Sequence, residues 1–153
     1  MPPTLDTTAA RTIKLGVLTL GAALLAGGWE TLAQQVPGSP LYIGVLPGPI
    51  GALRELSLML GVLTLAAGAL LPRAYEGASP RRARVASILI AAGVALAIAA
   101  QTYGASNGMH GVQASDLRAD ARAVFFVRHG GLVLFALAWL DLGVRVLRRP
   151  SAT

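Results

Sequence analysis

The chain contains no cysteine. That excludes disulfides, thiolate metal sites, cysteine nucleophiles and covalent haem attachment. Charge is scarce as well: 13% of residues are Asp, Glu, Lys or Arg, against about 25% in soluble domains. Histidine occurs twice, at His110 and His129, far apart and without a short ligand motif, so no metal site is expected. Only His129 lies within an apolar stretch, which argues against a haem held by two facing helices. No nucleotide-binding glycine motif, HExxH pair or nucleophile elbow occurs. No cofactor is expected, and soluble-style catalysis has no support.

Long apolar runs fill most of the sequence instead. They cover Thr12–Gln34, Ile50–Leu71, Val85–Tyr103 and Ala123–Val146, and a bilayer crossing needs about 20 apolar residues. With 54% hydrophobic residues, the expected fold is all-α: an integral membrane four-helix bundle. Residues 1–10, rich in Pro and Thr, read as a flexible tail. Residues 11–149 read as a single four-span domain and 150–153 as a C-terminal tail.

The net charge of +6 does not point to nucleic acid, because its bearers cluster at span ends. Arg11, Lys14, Arg73, Arg81, Arg82, Arg84, Arg145, Arg148 and Arg149 belong to the N-terminus, the loop between spans two and three, and the C-terminus. The positive-inside rule then places both termini in the cytoplasm. Arg11 and Lys14 before an apolar run also resemble a signal peptide, but Thr31-Leu32-Ala33 is a poor cleavage site. The Ala/Gly/Arg-rich composition and the lack of glycosylation sequons suggest a bacterial cytoplasmic membrane.

Between spans one and two, Val36–Pro49 holds four prolines around the apolar run LYIGVL. Such a loop reads as a membrane-hugging connector or as a lid over the bundle mouth. Pro72 is expected to stop span two. The loop Ser79–Arg84 reads as a topology signal, with an anionic-lipid contact as its functional alternative. LGVLTL occurs at Leu15–Leu20 and again at Leu60–Leu65. Drawn from so few residue types, the match reads as coincidence.

Small residues recur at four-residue spacing: Ala91, Ala95 and Ala99; Gly93 and Ala97; Ala23/Gly27, Ser57/Gly61 and Thr64/Gly68. They serve close helix approach, within the bundle or to another subunit. Span three, the richest in them, is expected to be the most protein-buried.

Charges within spans are costly, so each needs a reason. Asp141 and Arg145, four residues apart, form an expected ion pair at the inner interface. Glu30, Arg54, Glu55 and His129, with His110 and Tyr103, form a candidate polar pocket at the outer end. The helical angle assigns His129 inward, on a stripe with Val133, Ala136 and Leu140, and Arg128 outward or toward a neighbour. Two functions follow as expectations. One is a non-catalytic accessory or assembly subunit, or a homo-oligomer, whose partners are the bilayer and other membrane helices. The other is a proton-coupled transporter or a quinone- or lipid-modifying enzyme, with His129 exchanging protons beside Glu30 or Glu55.

Overall fold

The computed structural model describes residues 4–35, 47–109, 113 and 115–148. They form four helices: α1 (Leu5–Gln35), α2 (Pro47–Tyr75), α3 (Pro80–Ser106) and α4 (Ala119–Leu147). Each is long and apolar enough to cross a membrane. At about 1.5 Å per residue they reach roughly 40–46 Å, more than the apolar thickness of a bilayer of about 30 Å.

The helices therefore outrun the apolar stretches, and each extension has a local cause. Helix α1 begins inside the segment expected to be a flexible tail. Thr4 Oγ1 accepts a hydrogen bond from the Thr7 amide at 3.3 Å, and Asp6 lies in the first turn, where a carboxylate suits the helix dipole. Thr8 and Ala9 are buried, so this turn is packed. Helix α2 does not stop at Pro72 but continues to Tyr75. A proline removes one backbone donor, yet the extra turn is held by Tyr75, which is fully buried. The connection to α3 is a tight turn in which Gly77 has φ +70° and Ala78 N donates to Tyr75 O at 2.9 Å. Arg81, Arg82 and Arg84, expected in a loop, lie in the first turns of α3, which opens on Pro80. His110, the LYIGVL run and residues 150–153 lie outside the described residues.

The bundle is two tight antiparallel hairpins, α1/α2 and α3/α4. Between them α2 touches α3 and α4, and α3 touches α1; α1 and α4 do not meet among the described residues. The two LGVLTL copies set the register of the first hairpin. A Cβ added to Gly16 would come within 2.8 Å of Leu65, and one added to Gly61 within 2.8 Å of Leu20. Each copy thus offers a glycine hole to the final leucine of the other. The repetition serves packing, and no duplication is needed to explain it. The second hairpin closes on Gly93 and Gly131, where added Cβ atoms would lie 2.6 and 2.7 Å from the opposing glycine's carbonyl oxygen. Such close backbone approach lets long apolar helices gain van der Waals contact along their length.

This packing divides the small-residue stripes. Gly61 and Gly68 face α1, and Gly27 carries the Arg54 stem. Gly93 and Ala97 are buried, whereas Ala95 and Ala99 are exposed. Helix α3 shares the most enclosed position with α2, and α4 is the least buried. The core runs between the hairpins through Leu60, Ala67, Leu71, Ala83, Ile90 and Leu142.

Candidate functional site

At the end opposite the α2–α3 turn, α1 and α2 are tied by an ion pair. Arg54 donates to Glu30 Oε2 at 2.6 Å, with Glu30 largely covered and Arg54 about half exposed. Two glycines make room for it: the Glu30 carboxylate lies over Gly51, and the Arg54 stem over Gly27. Glu55, one residue on, is exposed. Tyr103 is exposed too and borders a shallow apolar groove of about 260 Å³ with Val124 and Val127. At the mouth of α4, Arg118 donates to both carboxylate oxygens of Asp120. That hydrogen bonding raises the Arg118 pKa above its ordinary value.

His129 does not join this group. Its Nδ1 lies 2.8 Å from the carbonyl oxygen of Phe125 on its own helix, and its ring lies 4.0 Å from that of Phe125. Its stripe, Val133, Ala136 and Leu140, is exposed. Glu30 and His129 stand on α1 and α4, the two helices that do not touch. The inward assignment of His129 is therefore reversed. Arg128 shares a face with buried Val124, Gly131 and Phe135. It donates to Gln101 Oε1 at 3.0 Å, and buried Gln101 extends Nε2 to the Pro49 carbonyl at 3.5 Å. This chain links α4, α3 and the start of α2. The helical angle separated the two residues correctly; the identity of the packed face came from Gly131, which with Gly93 lets α4 close on α3.

The richer convergence is at the basic end, where the α2–α3 turn meets the end of α4. Arg145 Nε donates to both oxygens of Asp141, at 3.0 and 2.9 Å. Tyr75 donates its hydroxyl to Asp141 Oδ2 at 2.5 Å, and the Arg145 guanidinium lies 4.8 Å from the Tyr75 ring centre. A cation over an aromatic face is attractive, so Tyr75 holds both members of the pair. Tyr75 escapes a reading of the sequence because it follows the proline expected to end the helix. Beside the triad, a groove of about 460 Å³ opens between α3 and α4, with Arg81 and Arg82 at its mouth and Val85, Leu89 and Leu137 along its walls. A second cavity of about 450 Å³, lined in part by Arg82, Arg145 and Arg148, adjoins it under the turn.

These features define a class rather than a chemistry: a four-helix bundle of membrane-spanning length whose polar side chains tie helix to helix. Compared with models of known families, with curated proteins and with solved structures, the chain matches none.

Proposed function

We propose that the chain is a four-span integral membrane protein with both termini in the cytoplasm. In this reading it serves a bacterial cytoplasmic membrane as a non-catalytic accessory or assembly subunit, or as a homo-oligomer. One observation carries the proposal: four polar pairs within the helices are spent on joining neighbouring helices. Glu30–Arg54 joins α1 to α2, Thr12–Ser87 joins α1 to α3 at 2.8 Å, Arg128–Gln101 joins α3 to α4, and Tyr75–Asp141 joins α2 to α4. His129, the proton carrier of the alternative reading, bonds its own helix and stands on a helix that does not touch the one bearing Glu30. The exposed alanines of α3 add support, since small residues on an outward face suit another helix better than lipid chains.

The cysteine-free sequence makes topology simple to test. Ser115→Cys in intact cells is expected to react with a membrane-impermeant maleimide, and Ser79→Cys only after permeabilisation. The reverse pattern would overturn the orientation. Native mass spectrometry after mild extraction tests the role: a stoichiometric larger partner or a homo-oligomer is expected. A lone monomer carrying a bound metabolite would refute it.

A further inference from the structure

Building on the membrane-spanning reading, we infer that the groove between α3 and α4 at the basic end holds one anionic phospholipid. Its phosphate would lie among Arg81, Arg82 and Arg145, and an acyl chain along Val85, Leu89 and Leu137. The groove has the polarity of such a molecule. Arg81 and Arg82 stand in the first turn of α3, and Val85 and Leu89 follow one and two turns deeper. On α4, Arg145 is in the last turn and Leu137 two turns above it. Charge thus sits at the helix ends and gives way to apolar wall over about 12 Å. A headgroup at the interface with its chain in the hydrocarbon has the same gradient.

The charge is complementary and held in place. Arg145 reaches Asp141 through Nε, which among the described residues leaves its terminal nitrogens for a second acceptor. Tyr75 and Asp141 fix that guanidinium at the edge of the groove. Arg148 adds a cation to the adjoining cavity, whose lining also includes Glu76 and Asp141. The carboxylate of Asp141 also lines the groove, but three arginines outweigh it. Arg84 and Arg73 belong to the same end without lining the groove, so they separate a site from diffuse attraction.

The experiment is native mass spectrometry of the full-length protein, titrated with phosphatidylglycerol, phosphatidylcholine or inorganic phosphate. Carbonate extraction of the source membranes is run alongside. The wild type is expected to retain one phosphatidylglycerol in preference to phosphatidylcholine, undisturbed by millimolar phosphate. Arg81→Gln/Arg82→Gln is expected to weaken retention about thirtyfold, while Arg73→Gln/Arg84→Gln leaves it within about threefold. If the first double variant fails to fold, Arg81→Gln alone removes one charge from the groove's mouth and is expected to weaken retention about fivefold. Equal retention of the two lipids, equal loss in both double variants, or displacement by phosphate would overturn the inference and leave the membrane reading standing. Release of the protein by carbonate would sink the membrane reading and the inference with it.

Discussion

Arg128 and His129 are neighbours in the chain with opposite prospects on mutation. Arg128→Ala strands the buried Gln101 oxygen, and an unsatisfied buried acceptor costs about 1–3 kcal/mol. His129→Ala removes a contact with the residue's own helix on an exposed stripe, so the expected loss is below about 1 kcal/mol. Thermal unfolding in detergent checks both, and a larger loss for His129 would contradict the geometry. Buried hydroxyls give a second contrast. Thr12 bonds Ser87 across helices, whereas Thr64, equally buried, has no partner among the described residues. Thr12→Val is expected to cost about 0.6–1.5 kcal/mol. Thr64→Val is expected to be neutral or stabilising in the same assay, since the isostere loses no bond. At this scale the sequence identified which polar residues need an explanation but not their partners. Every face of these helices is apolar, so hydropathy cannot tell the packed stripe from the exposed one.

Among the helices, legibility followed the apolar stretches and failed at their ends. All four helices were readable from length and composition. Their ends were not, because the extensions carry local contacts: Thr4 accepting from the Thr7 amide at the start of α1, and buried Tyr75 bonded to Asp141 at the end of α2. Register was hidden for another reason. A glycine in an apolar run shows that some backbone approaches closely, without showing which. The structure assigns Gly16 and Gly61 to one hairpin and Gly93 and Gly131 to the other. Gly93→Ala places a methyl within 2.6 Å of a backbone oxygen, where no side chain can give way. Such overpacking costs about 1–3 kcal/mol, read as a lower unfolding temperature. Gly51→Ala meets only the end of the flexible Glu30 side chain, and the expected change is below about 0.5 kcal/mol.

For the whole molecule, the decisive division is between contacts that make the bundle and faces that it leaves bare. Helix α3 carries both kinds. Gly93 and Ala97 pack inside, and Ala95 and Ala99 point outward among exposed Ile88 and Leu96. If the chain assembles through that outward face, Ala95→Leu/Ala99→Leu is expected to abolish co-purification with a partner or second copy. The same variant should unfold within about 0.5 kcal/mol of the wild type, because an exposed position tolerates added bulk. Gly93→Ala is expected to do the reverse, lowering stability while any surviving folded protein still associates. Crosslinking yield and detergent unfolding, measured on the same preparations, separate the two effects. Unchanged crosslinking in the double leucine variant would move the association face off α3. The broad exposed surface of α4, with Val133, Leu137 and Leu140, would then be the next face to alter.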